Sequence, residues 1–215
     1  MLSMGGRVLY SEAACLDGES PIYYLGINPR DAPSSVEPDH HSIRSIQRDL
    51  ELFAAGRTVN GYLDESWKGS PPGTAPLQRR VRTLASWAGI GDDASFRRTP
   101  SSNVAFPRTV AQPADDQFKS WAAACWPVHE LVLAMTGART LLVGGTSAGR
   151  AVLTALGGDT EGPTFHCNLR TANYSLSVYR IARRVVFVLP PLPRWSGMET
   201  VDAEMTRAAL VRFGS

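Results

Sequence analysis

Pro21-Ile22-Tyr23-Tyr24-Leu25-Gly26-Ile27-Asn28-Pro29-Arg30-Asp31 is the stretch on which the reading of this chain turns. Residues 22–27 are β-branched, aromatic or aliphatic apart from one glycine, and Asn28-Pro29 stops the run hard, which describes a short buried strand ending in a fixed turn. In open α/β sheets the carboxyl ends of parallel strands face the ligand crevice. An asparagine at such an end, beside a proline that fixes the turn and offers no N–H, faces whatever is bound. The other reading of Asn28 is a residue that simply tolerates turn geometry.

Outward from this strand, residues 7–10 read as a short edge strand. Residues 30–41 turn to Asp, Pro and Ser and predict a loop across the mouth of the crevice. Residues 42–55 predict a helix capped by Ser42, with Ile43, Ile46, Leu50 and Phe53 at helical spacing. Residues 58–74 are rich in Gly, Pro and Ser but carry Tyr62, Leu63 and Trp67, the pattern of an ordered loop pinned by aromatics. Pro76 opens the next helix, in which Leu77, Val81, Leu84 and Ala88 make the apolar stripe and Arg79, Arg80 and Arg82 lie off it, before Gly89 and Gly91 end it.

A second strand is predicted over 101–106, closed by Pro107 and carrying Asn103. A long helical stretch over 115–135 is expected to be interrupted or restarted at Pro127. The third strand, 140–143, runs into the glycine-rich turn 144–149 and a short helix to Leu156. Residues 177–181 suit an antiparallel strand, 185–189 the fourth buried strand, and 201–213 a closing amphipathic helix.

This alternation predicts a single α/β domain over residues 1–215, a three-layer α/β/α fold with a central, mostly parallel four-stranded sheet. The strand ends after Ile27, Phe106, Val143 and Leu189 then share one edge. Asn28, Asn103, the 144–149 turn and the 190–196 loop are expected to converge there on one pocket.

Composition narrows the partners. Hydrophobic residues at 43% and charged residues at 20% suit a soluble globular chain, and no apolar run approaches the roughly 20 residues of a membrane helix. Residues 1–10 lack the charged start and apolar block of a secretory signal, so a cytoplasmic location is expected. Cys15, Cys125 and Cys167 are far apart with no Cys-x-x-Cys pair, and Asp39-His40-His41 has no further ligand spacing, so no metal site is expected. A net charge of +2 does not announce a nucleic-acid partner through the global field. The clusters Arg79, Arg80, Arg82, then Arg97, Arg98, then Arg183, Arg184 suit either phosphate recognition or solvated, ion-paired faces.

Five segments in order, Gly26-Ile27-Asn28-Pro29, Tyr62-Leu63-Asp64-Glu65-Ser66-Trp67, Ser101-Ser102-Asn103-Val104-Ala105-Phe106, residues 141–148, and Val188-Leu189-Pro190-Pro191-Leu192-Pro193-Arg194-Trp195-Ser196, resemble the Gly-x-Asn-Pro branch of the uracil-DNA glycosylase superfamily over about residues 21–197. The resemblance implies a partner, single- or double-stranded DNA bearing uracil or a damaged pyrimidine, and no metal or organic cofactor. It implies no membrane and no obligate protein partner. It gives Asn28 the role of orienting the water that attacks the sugar. An amide can position water but cannot remove its proton. Asn103 takes the role of reading the Watson-Crick edge of the extruded base. Gly26, Ile27, Pro29, Pro191, Leu192, Trp195 and Ser196 are expected to line the base site, with Tyr62 or Trp67 as candidates to stack on the base.

The last segment departs from the family pattern. The His that donates to the base oxygen aligns with Pro191, and the following Ser with Pro193, and neither proline has a donor. One preorganised donor to a developing oxyanion contributes about 2.7 to 4 kcal/mol. Arg194 is the nearby cation that could substitute, or that could contact a phosphate. Two other readings stand beside this one. The first is a binder of pyrimidine or nucleic acid that does not cleave. The second is a serine hydrolase in which Gly145-Thr146-Ser147-Ala148-Gly149 is a nucleophile elbow, with Ser147 served by His166 and Asp159.

Overall fold

β1 (Ile22–Gly26) sits inside the sheet because its side chains alternate between two apolar faces. Tyr23 and Leu25 pack into one core, Ile22 and Tyr24 into the other, and none is more than 5% exposed. The computed structural model describes residues 1–30, 44–158, 162–169, 174–194 and 201–214. In chain order the remaining elements are α1 (Ile46–Ala54), α2 (Pro76–Trp87), α3 (Asp93–Arg97), β2 (Ser101–Asn103), α4 (Asp115–Thr136), β3 (Thr140–Gly144), α5 (Thr146–Ala155), β4 (Phe165–Asn168), β5 (Ser175–Ile181), β6 (Arg184–Leu189) and α6 (Val201–Phe213). Short 3-10 turns occupy Ala13–Leu16 and Leu192–Arg194. Among the described residues no helix is long and apolar enough to cross a membrane.

The strand order is β2-β1-β3-β6-β5-β4. The first four are mutually parallel and are the four expected, but the sheet is six-stranded and mixed. β5 returns antiparallel to β6 through a two-residue turn that holds Ala182 at φ 50°, and β4 adds an antiparallel edge. β4 escapes a search for apolar runs because it reads Phe-His-Cys-Asn, alternately half-buried and exposed, as an edge strand does.

Helices cover both faces. α1, α4 and α5 supply Ile46, Phe118, Ala122, Ala148 and Val152 to the core that holds Tyr23 and Leu25. α2, α3 and α6 supply Val81, Leu84, Phe96, Leu210 and Phe213 to the core that holds Ile22 and Tyr24. The 58–74 loop is ordered as expected, and one side chain ties it to α2. Gln78 accepts from the Ala75 N–H (2.9 Å) and donates to the carbonyls of Gly61 and Glu65 (2.7 Å each). The cap of α1 among the described residues is Ser45, which accepts from the Arg48 N–H at 3.1 Å, whereas Ser42 lies outside them.

Residues 5–10 run antiparallel beside β2 through isolated bridges, Gly6 to Pro107 and Leu9 to Ser102, without a continuous ladder. The Arg7 N–H bonds Phe106 O at 3.1 Å and the Tyr10 N–H bonds Ser101 O at 2.8 Å, so this segment covers the outer edge of β2.

α4 passes through Pro127 unbroken, contrary to the expected interruption. Pro127 and Ala123, whose carbonyl the proline leaves without an intrahelical donor, are both on the solvent side, so water can satisfy that carbonyl. Cys125, Trp126 and His129, all buried, hold the helix to the sheet on either side of the proline.

His129 is fully buried against Tyr23, Phe106 and Trp126. Its Nε2 lies 3.2 Å from the Val104 carbonyl, which only accepts, so Nε2 carries the proton and Nδ1 accepts from the Tyr23 hydroxyl at 2.8 Å. Burial pushes the imidazole pKa down to about 4 from 6.5, against hydrogen bonds that favour the cation. Above pH 6.5 the group is neutral folded or unfolded and contributes no pH dependence. As pH falls from 6.5 toward 4 only the unfolded chain takes up the proton, so stability falls. The expected loss from this group is about 2 kcal/mol between pH 7 and pH 5, and ~3 kcal/mol by pH 4. Urea unfolding of the wild type and His129→Gln across this range measures it. The extra acid sensitivity of the wild type is expected to be absent from the variant.

Candidate functional site

The parallel strands end in a row. Asn103 of β2 pairs with Gly26 of β1, the pairing of Leu25 with Val143 sets Gly26 beside Gly144 of β3, and Gly144 pairs with Leu189 of β6. By the alternation of strands, this row faces the core shared by Tyr24, Leu142 and Phe187. The two central members are glycines. A Cβ on Gly26 would collide with Asn103 Oδ1, so the Asn103 amide leans over β1 only because Gly26 has no side chain. A Cβ on Gly144 would stand 3.4 Å from the Tyr24 hydroxyl oxygen.

The loops that follow the strands meet beyond this row. Gly145 has φ 102°, and a Cβ there would fall 2.9 Å from Ile27 Cδ1 and 3.8 Å from Pro191 Cγ, so the loops after β1, β3 and β6 touch at this glycine. Leu192 is fully buried beside them. Arg80 Nη1 donates to the Leu192 and Pro193 carbonyls, at 2.9 and 3.0 Å, and pins the proline-rich turn to α2.

The chain after β1 continues alongside the chain after β2. The Val104 and Ala105 N–H groups donate to the Gly26 and Ile27 carbonyls, at 2.9 and 3.0 Å, and Thr109 N–H donates to Pro29 O at 3.1 Å. Asn28 is clasped between the two. Its Nδ2 donates to Thr109 Oγ1 (2.7 Å), Pro29 O (3.0 Å) and Pro107 O (3.3 Å), which fixes the amide, since both carbonyls only accept. Asn28 is 7% exposed, and its Oδ1 is buried without a hydrogen-bond partner among the described residues. That oxygen is an acceptor held in place by donors elsewhere on the same amide, and it suits an O–H or N–H from a ligand or a water.

Asn103 is equally buried. Burial raises the Tyr10 pKa, and the nearby Arg108 and Arg7 pull it back only in part, so the phenol stays protonated near neutral pH. Arg108 donates from Nη1 to Arg30 O at 3.0 Å, and burial lowers its pKa without discharging it. Tyr10, Pro107, Arg108 and Thr109 are the neighbours of the site that motif reading did not single out. Their signal was the pairing of 5–10 with 101–107, which involves residues some 90 positions apart.

Other expectations fall differently. Tyr62 is buried, stacked on Tyr10 at 5.3 Å between ring centroids, and Trp67 packs edge-on to it at 5.4 Å while its Nε1 donates to Glu65 at 3.0 Å. Both belong to the packing behind Tyr10, and neither face of Tyr62 is open to a base. Three arginines of the basic clusters have intramolecular partners. Arg80 holds the Leu192–Arg194 turn, Arg82 donates to Gly73 O at 3.3 Å, and Arg97 bonds Glu12 (2.6 Å) and Asp64 (2.7 Å). Arg194 closes that turn in its backbone, and Trp195, Ser196, His40 and His41 lie outside the described residues.

Ser147 is a half-buried residue inside α5 and is not among the residues with positive φ, so it lacks the strained turn of a nucleophile elbow. His166 is on β4, three strand positions from β3 and so roughly 14 Å across the sheet, and its Nδ1 pairs with Ser177 Oγ at 2.8 Å. Asp159 lies outside the described residues. The structure does not bring a serine triad together.

No protein-family model and no curated protein sequence matches this chain. The geometry of the strand ends therefore carries the functional argument by itself.

The dependence of Asn103 on Gly26 is directly measurable. Gly26→Ala is expected to force the Asn103 amide out of its place and to destabilise the fold by about 1 to 3 kcal/mol in urea unfolding, as overpacking does. Gly18→Ala, where an added Cβ meets nothing within 4 Å, is the control and is expected to change stability by less than about 0.5 kcal/mol.

Proposed function

We propose that this chain is a uracil-DNA glycosylase-like protein, with a fold of that superfamily, whose strand-end site takes a uracil or damaged pyrimidine extruded from DNA and hydrolyses its N-glycosidic bond. The observation that carries the reading is the pair of buried asparagines, Asn28 and Asn103, on neighbouring strand ends, with the Asn28 amide clasped through its nitrogen and its oxygen a buried acceptor. Two amides on such a rim match the chemistry required. One reads a base edge that presents a donor beside an acceptor, and the other orients a water toward the sugar carbon without needing to take its proton.

In this mechanism the C1′–N1 bond breaks and its electron pair leaves with the base. Water held by Asn28 Oδ1 adds to C1′ and sheds its proton to solvent as the new C–O bond forms. Charge develops on the base oxygen, and here the chain is weakly equipped. Pro191 and Pro193 offer no donor, so what the sequence leaves over 191–194 is the backbone N–H of Leu192 and Arg194 and, by residue type, a guanidinium at Arg194. Excision slower by a hundredfold to a thousandfold than with a dedicated donor is expected, at about 2.7 to 4 kcal/mol of lost stabilisation. The same absence favours a second reading, a pyrimidine or single-strand binder that does not cleave.

Incubation with single-stranded, U:A and U:G oligonucleotides, followed by alkaline cleavage at abasic sites, separates these outcomes. Slow release of uracil is expected, falling by about a hundredfold in Asn28→Ala if water positioning is what that residue provides. Excision that is equally fast in Asn28→Ala would remove the role given to Asn28. Binding of the same oligonucleotides without excision would establish the non-cleaving reading.

A further inference from the structure

We infer that the outer face of α4 is where two copies of this chain meet, their α4 helices antiparallel about a two-fold axis at Pro127. This surface is separate from the strand ends, and the inference does not depend on the pyrimidine reading.

A helix that faces water normally carries charged and polar groups on its outer side. After Ser120 the exposed positions of α4 are Ala123, Ala124, Pro127, Glu130, Leu131, Ala134 and Met135, with a single charge among them. Leu131 is 59% exposed and Met135 48%. The one charge is held along its own helix, since Glu130 accepts from Trp126 Nε1 at 3.1 Å. The apolar surface continues beyond α4. Met1 Sδ lies 3.9 Å from Cys125 Sγ, and Leu2 O accepts from the Gln47 N–H of α1 at 3.0 Å, so the exposed Met1, Leu2 and Leu50 carry it across to α1. Contiguous apolar surface of this kind marks an interaction site, whereas scattered single side chains do not.

Shape, charge and size fit a second copy. Ser120, Ala123, Pro127, Leu131 and Ala134 lie within about 40° of one line along the helix, with small side chains before Pro127 and Leu131 after it. Turned antiparallel about Pro127, positions equally distant from the axis meet, so Leu131 of each copy covers Ala123 of the other. A parallel pair would set leucine on leucine and alanine on alanine, crowded at one end and empty at the other. The start of α4 is acidic, with Asp115 and Asp116, and Arg139 follows its end, all three exposed. The antiparallel arrangement brings Asp116 of one copy toward Arg139 of the other at both ends, and it opposes the helix dipoles. The α4 seam covers ~350 Å² per copy, under half of the roughly 800 Å² typical of a stable interface. Met1, Leu2 and Leu50 extend it toward the size of a reversible dimer with micromolar affinity. The Ala123 carbonyl keeps its water at the seam, where alanine and proline leave room for one.

α4 packs on the face of the sheet opposite the core that holds Tyr24, Leu142 and Phe187, so the pairing leaves both strand-end rows open. Because α4 runs back from the end of β2 to the start of β3, the two rows face opposite directions in the dimer.

Sedimentation equilibrium of the full chain from about 1 to 300 µM is expected to show a monomer–dimer equilibrium with no larger species. Leu131→Glu is expected to weaken association by at least about a hundredfold at an unchanged unfolding midpoint, because that side chain is exposed in the folded monomer. Asp116→Arg and Arg139→Asp are each expected to weaken it by about threefold to tenfold, and the two together in one chain to restore it. Monomer alone throughout the range, assembly beyond a dimer, or a dimer undiminished in Leu131→Glu would overturn the inference. Single charge changes that weaken association without recovery in the double variant would overturn the antiparallel arrangement.

Discussion

Arg7 has no solvent exposure, and each of its side-chain nitrogens is occupied. Nε donates to Leu9 O at 2.7 Å, Nη2 to Val59 O at 3.2 Å, and Nη1 to both oxygens of Glu65 at 2.7 Å. Burial works against its charge, and Glu65 with Asp49 more than offsets this, so the cation is kept. Breaking a buried pair by removing one partner typically costs about 3 to 5 kcal/mol, because the other charge is left in place without a counterion. This one interaction joins the segment that covers β2 to the 58–74 loop and sets the ring of Tyr10 beneath a cation. That segment covers the outer edge of β2, the strand that ends in Asn103. The site at the strand ends thus rests on a pair whose members are 58 residues apart in the chain.

The second constraint is the absence of side chains. Gly26 and Gly144 stand together in the last row of the parallel strands, and Gly145 follows in a left-handed conformation that lets the loops after β1 and β6 touch. The polar groups of the rim are then not surface residues that drift. Asn28 and Asn103 are both more than nine-tenths buried, and Asn28 is fastened through its amide nitrogen, with the chemistry left to its oxygen. Preorganisation of this kind positions a ligand at low entropic cost. It does not by itself supply a donor for a leaving group, and the proline-rich turn pinned by Arg80 supplies few.

The parallel core and the turn at Asn28 were legible in the sequence because each depends on local pattern, an apolar run ended by a turn residue at the carboxyl end of a strand. Asn103 was expected inside a strand running on to Phe106, whereas β2 stops at Asn103 and so puts it at the strand end. The α/β alternation was legible for the same reason. β4 was not, since an edge strand needs apolar side chains on only one face and His166 and Asn168 are exposed. The continuity of α4 through Pro127 depends on where the proline falls relative to solvent, a tertiary matter. Tyr10 was read as part of an edge strand, and its bond to Ser101 could not be seen until residues 5–10 were laid beside β2. Ser147 shows the converse. Its motif matches a nucleophile elbow in letters, while the backbone carries the left-handed turn two residues earlier, at Gly145, and leaves Ser147 as an ordinary helical residue.

The central claim is that the row formed by Asn103, Gly26 and Gly144 is where a pyrimidine edge is read. A crystal structure of the protein grown with free uracil tests it most directly. The base is predicted to lie at these strand ends, with its imide N–H about 2.9 Å from Asn103 Oδ1 and its plane held by the loops that meet at Gly145. Uracil bound elsewhere, or bound with the Asn103 amide turned away from it, would contradict the account.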